Sequence, residues 1–129
     1  MPKLEYFVVA DSVSIDQSTN EVSVFNIWEE INTDDLPTIV PRGAAITLWN
    51  AEPGDAGRDF QSMLVIRLPD GAVLQSPANF TMSTPRHRVT QRFVALPVTT
   101  EGEIVFSVML NGELKATHTV SVRRVGSAD

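Results

Sequence analysis

The stretch that decides the fold lies near the end of the chain, at residues 103–123, EIVFSVMLNGELKATHTVSVR. Two runs rich in valine and threonine flank the pair Asn111-Gly112, and this arrangement is a strong signal for a β-hairpin. Apolar and polar residues alternate in the second run. The alternation predicts a strand that turns one face to a hydrophobic core and the other to water.

The turn allows two registers for this hairpin. A two-residue type I′ loop would place Val108 opposite Lys115, an apolar side chain against a charged one. A three-residue loop, Leu110–Gly112, places Val108 opposite Leu114 instead and keeps apolar residues on one face. We therefore predict the three-residue loop. It turns these residues of the last strand inward: Leu114, Ala116, His118, Val120 and Val122.

Similar short runs, separated by clusters of glycine, proline, asparagine and aspartate, recur along the whole chain. The runs predict these strands: Leu4–Asp11, Glu21–Trp28, Ala44–Asn50, Phe60–Leu68, Ala72–Ser76, Arg88–Leu96, Glu103–Leu110 and Glu113–Arg123. Most prolines, Pro41 among them, fall in the predicted breaks or at strand ends. The pattern is typical of an all-β protein. We predict a single antiparallel β-sandwich, immunoglobulin-like in plan, with seven or eight strands.

Two further features bear on the packing of this sandwich. The turn Pro69–Gly71 predicts a second hairpin, in which Ile66 pairs with Leu74 and Leu64 with Ser76. The first strand does not alternate, because residues 6–10, YFVVA, are apolar on both faces. Such a strand is expected to be covered on both sides or to contribute to an interface.

Length and composition limit the class of protein. The 129 residues suit one domain, and we assign residues 1–125 to the sandwich and 126–129 to a disordered tail. The absence of cysteine excludes disulfides, thiolate zinc sites and cysteine nucleophiles. A net charge of −6 argues against a nucleic-acid partner, which would require many phosphates to be neutralised. No apolar run approaches the roughly 18 residues that span a bilayer, so we expect a cytoplasmic protein without a membrane partner.

Several motifs occur in an order that resembles a known family. They are VVADSV at residues 8–13, NEVSVFNIW at 20–28, the pairs Leu36-Pro37 and Val40-Pro41, LPDG at 68–71 and FSVMLNG at 106–112. The chain resembles a family of small uncharacterised bacterial proteins, each about one immunoglobulin-like sandwich long. The resemblance implies that Asp11 closes the first strand. Ala10 stands where many members carry cysteine, so no thiol-based role is implied here, and the family brings no known activity.

The basic residues suggest an anion site. Arg86, Arg88 and Arg92 lie on and just before one predicted strand, and Arg88 and Arg92 share its parity. Two guanidinium groups on one face could hold a phosphate or a carboxylate. The charge distribution offers an alternative, because residues 1–60 hold eleven acidic and three basic residues, a balance of −8, against +2 for the remainder. The arginines would then pair with the acidic first half.

The acidic residues suggest a metal site. Asp34 and Asp35, together with Asp55 and Asp59, lie in predicted long loops that could meet at one end of the sandwich. Calcium takes six to eight oxygen ligands, and paired loop carboxylates can supply them. The sequence has no Asp-x-Asp-x-Asp-Gly loop, however, and acidic loops commonly serve solubility alone.

The sequence gives little support for catalysis. The two histidines, His87 and His118, have no Gly-x-Ser-x-Gly elbow to accompany them. His118 lies on the predicted apolar face, as a core histidine does. His87 lies between two arginines in a predicted surface loop, where the neighbouring cations would lower its proton affinity. We therefore predict a non-enzymatic protein without a cofactor.

The same features define the expected function. The split charge and the two-sided apolar first strand favour a protein-interaction module of a bacterial cytoplasm, acting on a protein partner or by self-association. The alternative is a small-ligand or ion-binding sandwich. It would use the arginines for an anion or the acidic loops for calcium.

Overall fold

A computed structural model of the chain describes residues 1–126. The strands are β1 (Lys3–Ile15), β2 (Val22–Ile27), β3 (Glu30–Thr33), β4 (Thr38–Asn50), β5 (Asp59–Phe60), β6 (Ser62–Arg67), β7 (Val73–Pro77), β8 (Phe80–Thr81), β9 (Arg86–Val98), β10 (Gly102–Leu110) and β11 (Glu113–Arg124). The prediction lacks β3 and β8 and joins Phe60 of β5 to β6 in one strand; β3, β5 and β8 hold two to four residues each, too few to show a periodic pattern. Of the predicted tail, residues 127–129 lie outside the described residues.

The strands form two facing sheets. Sheet A has the order β2-β1-β4-β9, and sheet B has the order β3-β11-β10-β6-β7. All neighbouring pairs in them are antiparallel except β3 and β11. Strands β1, β4 and β9 occupy the places of A, B and E in an immunoglobulin domain, and β6, β10 and β11 those of C, F and G. The protein is therefore an all-β, immunoglobulin-like sandwich, as predicted. No described residue belongs to a helix long and apolar enough to cross a membrane.

Aromatic residues fill the space between the sheets. Trp28 and Phe106 contact each other edge to face, with ring centroids 6.0 Å apart, in a cluster formed by both sheets. Trp49 lies in a second buried cluster at the other end of the core. Each indole N–H has an acceptor: Trp28 donates to the carboxylate of Asp11 at 3.1 Å and Trp49 to the hydroxyl of Thr47 at 3.0 Å. Burial of the two tryptophans therefore leaves no indole donor unsatisfied.

The β6–β7 hairpin has the predicted register. Ile66 pairs with Leu74 and Leu64 with Ser76. The Leu68 N–H closes the turn on the carbonyl of Ala72 at 2.8 Å.

The β10–β11 hairpin differs from the prediction. Asn111 and Gly112 form a two-residue turn with φ angles of 49° and 82°, as a type I′ turn requires. The predicted three-residue loop is therefore wrong. Val108 nevertheless faces Ala116, because Lys115 is an extra residue that forms a β-bulge in β11.

The bulge also corrects the predicted face of Leu114. That side chain is 54% exposed instead of pointing inward. Val120 and Val122 are buried and His118 is half-buried, as the predicted alternation requires. The extra residue thus lets a type I′ turn and an inward-facing apolar stripe occur in the same hairpin.

Strand β4 is longer than predicted, because Pro41 does not end it. The strand runs through this proline and pairs with β9 on both sides of it. Pro41 lies opposite Ala95, where the pairing is interrupted and Ala95 has a φ of 55°. An irregular position of this kind accommodates a residue that has no N–H to donate.

The β1–β2 hairpin, residues 11–27, folds across the outer face of sheet A. The first half of β1 pairs with β4 and the second half with β2. Val13, Val22 and Val24 of the hairpin pack on Ala44 and Ile46 of β4, both almost fully buried. The first strand is therefore covered on both sides, one of the two outcomes expected from its sequence.

Gly43 provides a test of the core packing. A Cβ atom at this position would lie 2.5 Å from Cε2 of Phe93 and 2.8 Å from Cη2 of Trp28. We expect Gly43→Ala to destabilise the fold by about 1–3 kcal/mol, because two packed aromatic rings must shift. Thermal unfolding should show a midpoint lower by about 3–5 °C per kcal/mol.

Gly126→Ala is the matched control, because no atom of the part of the chain that the structure describes lies within 4 Å of the added methyl group. An unchanged midpoint for Gly43→Ala would mean that the rings pack differently.

Candidate functional site

The three arginines proposed for anion binding project from alternate positions of β9 and stand beside the β1–β2 hairpin. Arg88 donates to the Asn20 carbonyl at 2.9 Å and to its side-chain oxygen at 3.2 Å. Arg92 donates to the Val13 carbonyl at 3.3 Å. Arg86 forms an ion pair with Glu5 and donates to the side chain of Asn50 at 3.1 Å. Two of the three arginines therefore hold the hairpin against the sheet.

The arginines do not form one three-membered site. Arg86 and Arg88 line an open cavity of about 480 Å³, together with Tyr6, Asn20, Leu48 and His87. Arg92 lines a separate cavity of about 220 Å³ beside Arg42 and Val94. The four-residue separation of Arg88 and Arg92 along a strand corresponds to about 13 Å. The alternative prediction is that the arginines pair with acidic residues of the first half of the chain. Of the three, Arg86 does so, in its ion pair with Glu5.

His87 is a strand residue, not part of a surface loop. It lies in β9, and its ring stacks on Phe80 with centroids 4.8 Å apart and planes inclined by 10°. Burial lowers the pKa of His87, so the imidazole is neutral near pH 7. The direction agrees with the sequence interpretation, but the cause is desolvation and not the neighbouring cations.

His118 has a structural role that its sequence position indicated. Its Nε2 lies 2.6 Å from the Trp28 carbonyl, which can only accept, so Nε2 carries the proton. The ring also contacts Phe7 and Phe106 edge to face. The histidine thereby joins β11 to the residue that follows β2.

The four aspartates proposed for calcium do not converge. Asp34 and Asp35 precede β4, whereas Asp55 and Asp59 follow it, and this strand of 13 residues spans about 40 Å. Asp59 accepts a hydrogen bond from the hydroxyl of Thr81. Across residues 1–126, no group of three or more histidine, cysteine or acidic side chains could hold a metal ion. The interpretation of these loops as one calcium site is therefore wrong.

Asp55 has its own local partners. The carboxylate is buried, accepts the Glu52 N–H at 2.7 Å and lies 3.1 Å from the terminal ammonium of Met1. The Glu52 N–H, followed by the ammonium group, holds the pKa of Asp55 below its ordinary value of 3.8. Asp55 thus organises the loop after β4.

A surface that the sequence did not single out lies on the outer face of sheet B. One row of apolar side chains crosses four neighbouring strands, β7, β6, β10 and β11: Pro77, Met63, Met109 and Leu114. We call this row the apolar band. A cavity of about 510 Å³, lined by Met63, Pro77 and Met109 among others, lies along it. Val65 and Val105, also half-buried, lie on the same face.

A signal for this surface is present in the sequence. Residues 63–66, MLVI, and 104–106, IVF, are apolar at both parities, which indicates strands with an apolar outer face as well as an inner one. The position of Leu114 in the band could not be inferred, because it depends on the bulge at Lys115.

The lowered pKa of Asp55 gives a pH-dependent prediction. The unfolded carboxyl binds a proton more readily, so the stabilisation by the carboxylate is present above pH 3.8 and is lost as the pH falls through the folded pKa. We expect Asp55→Asn to lower the thermal midpoint at pH 7. The difference from the wild type should narrow below about pH 4. Asp34→Asn is the control, because Asp34 is exposed, and it should leave the midpoint unchanged. If the midpoint difference between Asp55→Asn and the wild type did not vary with pH, this role of Asp55 would be contradicted.

Comparison with known proteins supports the fold. None of the curated proteins compared with the chain matches it. A solved structure of the alkylpurine DNA glycosylase AlkC of Pseudomonas fluorescens, bound to DNA containing an abasic site analog, is similar with a TM-score of 0.57 and 14% identity. The similarity covers 95% of this chain and 30% of the glycosylase chain, so this chain spans less than a third of that protein. At this identity only the fold is shared.

A second solved structure and a family profile also match. The structure is an immunoglobulin-like protein from Pseudomonas aeruginosa, with a TM-score of 0.41, 14% identity, and coverage of 95% of this chain and 97% of that one. The profile matches residues 5–123 and describes a family of unknown function. This match confirms the resemblance to an uncharacterised family that the sequence motifs indicated. The chain belongs to the family of unknown function DUF6941.

Proposed function

We propose that this protein is a non-enzymatic interaction module that binds another protein on the outer face of sheet B. The apolar band is the observation that carries the proposal. It runs without interruption across four strands, from Pro77 to Leu114, and none of its residues belongs to a hydrophobic core cluster of residues 1–126. Single exposed apolar residues are ordinary on protein surfaces, whereas contiguous ones mark binding sites.

The contrast between the two outer faces strengthens this proposal. On sheet A, the apolar residues Ala44 and Ile46 are covered by the chain's own β1–β2 hairpin. On sheet B, Met63 and Met109 are only half-buried and Leu114 is 54% exposed. Removing such surface from water contributes about 25 cal/mol per Å². On sheet A, the hairpin already removes apolar surface from water. On sheet B, a partner that covers the apolar band would bury such surface, and this burial would stabilise the complex.

The band also suggests the chemistry of the partner. Methionine side chains are flexible and polarisable, so Met63 and Met109 can adapt to an apolar surface of varied shape. Arg67 follows Val65 on the same face of β6, and no carboxylate of residues 1–126 lies within 4.0 Å of it. A partner with apolar side chains at its centre and an acidic residue at its rim fits both features.

The remaining parts of the proposal concern the setting. We place this interaction in a bacterial cytoplasm, with either a different protein or a second copy of the chain as partner and with no cofactor. The net charge of −6 opposes binding to nucleic acid or to an anionic membrane surface.

The test compares capture by the wild type with capture by two variants. Leu114→Lys and Met63→Lys each place a charge on the apolar band, and we expect at least a tenfold loss of partner binding, because a central apolar contact is replaced by a charged group. Tagged protein is recovered from cells under native conditions, and co-purifying proteins, including untagged copies of the chain, are quantified by mass spectrometry.

Val94→Lys is the matched control. This valine is 76% exposed but lies on β9 of sheet A, so its change should preserve capture. Thermal unfolding of each variant checks that the fold is intact. Proteins that are held equally by the wild type and by both band variants would contradict the proposal, as would the absence of any specific capture by the wild type.

A further inference from the structure

The cavity beside Arg88 lies on the opposite face of the molecule from the apolar band. Its floor is one row of sheet A, in which Tyr6 of β1, Leu48 of β4 and Arg88 of β9 are neighbours. Asn20, in the loop of the β1–β2 hairpin, lines it, and so does Arg86. The volume of about 480 Å³ is open to solvent.

The hairpin loop places Asn20 by local hydrogen bonds. The Asp16 side chain accepts the N–H groups of Ser18 and Thr19 at 2.9 and 3.0 Å, and the Asp16 carbonyl accepts that of Asn20 at 2.8 Å. These bonds close a tight turn with Asn20 at a φ of 60°. Asn20 then accepts two hydrogen bonds from Arg88, which fixes the guanidinium at the cavity.

The charge of Arg88 has no counter-charge in the described chain. Within residues 1–126 no carboxylate lies within 4.0 Å of it, and its two acceptors on Asn20 are neutral. Its Nε–H is buried and has no acceptor among the described residues. Arg86, the second guanidinium, is matched by Glu5. The cavity therefore carries one unmatched positive charge, because His87 is neutral near pH 7.

A half-buried cation without a counter-charge is costly, and an anion that enters the cavity would reduce that cost. The planar guanidinium matches the oxygen atoms of phosphate, and the phenol of Tyr6 can donate a further hydrogen bond. The cavity is larger than a phosphate ion, which leaves room over Leu48 for a small organic group. We propose that it binds a phosphate group, free or carried by a small molecule, with Arg88 as the principal ligand.

Isothermal titration calorimetry tests this proposal directly. The wild type is titrated with inorganic phosphate and with glycerol phosphate at constant ionic strength, and sodium chloride is the reference. We expect saturable binding that Arg88→Gln weakens at least tenfold. Tighter binding of the ester would support a phosphorylated small molecule as the ligand. Equal affinities would support free phosphate.

Two further variants separate binding from hairpin stability. Arg92→Gln removes the hydrogen bond of Arg92 to the hairpin, but Arg92 lies outside the cavity, so phosphate affinity should be unchanged. Arg88→Lys keeps the charge but lacks the planar fork, so its affinity should fall between those of the wild type and Arg88→Gln.

Amide chemical shifts of the wild type test the same proposal without a variant, so misfolding of a variant cannot affect the result. Phosphate should shift the Asn20 and Arg88 resonances more than those of the apolar band. An absence of saturable binding by the wild type would overturn the proposal. So would an equal loss in Arg88→Gln and Arg92→Gln, or shift changes that avoid the cavity.

Discussion

The β-bulge at Lys115 is the constraint on which the two faces of sheet B depend. The type I′ turn at Asn111-Gly112 sets a register that would place charged Lys115 opposite buried Val108. One extra residue in β11 restores the pairing of Val108 with Ala116, so that Val120 and Val122 enter the core. Leu114 lies on the turn side of the bulge and therefore joins the outer face. The same irregularity thus completes the core and exposes the last residue of the apolar band.

The apolar outer face of sheet A is covered by another part of the same chain. The β1–β2 hairpin folds back over it, with Arg88 and Arg92 donating to hairpin oxygens. The arginines that the sequence suggested as an anion site are thus also structural. The structural role and the proposed anion-binding role meet at Arg88, whose charge the hydrogen bonds to the hairpin do not neutralise. The result is a sandwich in which the hairpin covers the outer face of sheet A, whereas the apolar band on sheet B stays outside the core clusters of residues 1–126.

The sequence predicted what depends on local pattern. The pairing of Leu64 with Ser76 followed from a turn and from parity, and the burial of Val120 followed from alternation. The bulge could not be predicted, because one inserted residue changes the register without leaving a compositional trace. The calcium hypothesis failed because Asp35 and Asp55 lie at opposite ends of β4, and the sequence alone did not show which strand ends come together. Contacts across the fold, such as that of Asn20 with Arg88, leave no pattern in the linear sequence.

Cysteine accessibility at position 114 tests the account most directly, because the chain has no cysteine of its own. Leu114→Cys, Lys115→Cys and Ala116→Cys are treated with a thiol reagent in native buffer and in denaturant, and the labelling rates are compared. The bulged register predicts that Leu114→Cys reacts in native buffer at a rate within a few-fold of that in denaturant, and that Ala116→Cys reacts much more slowly. Strong protection of Leu114→Cys, together with fast labelling of Lys115→Cys, would indicate the three-residue loop. In that register the Leu114 side chain would face the core, and the apolar band on which the proposed function rests would lose its last residue.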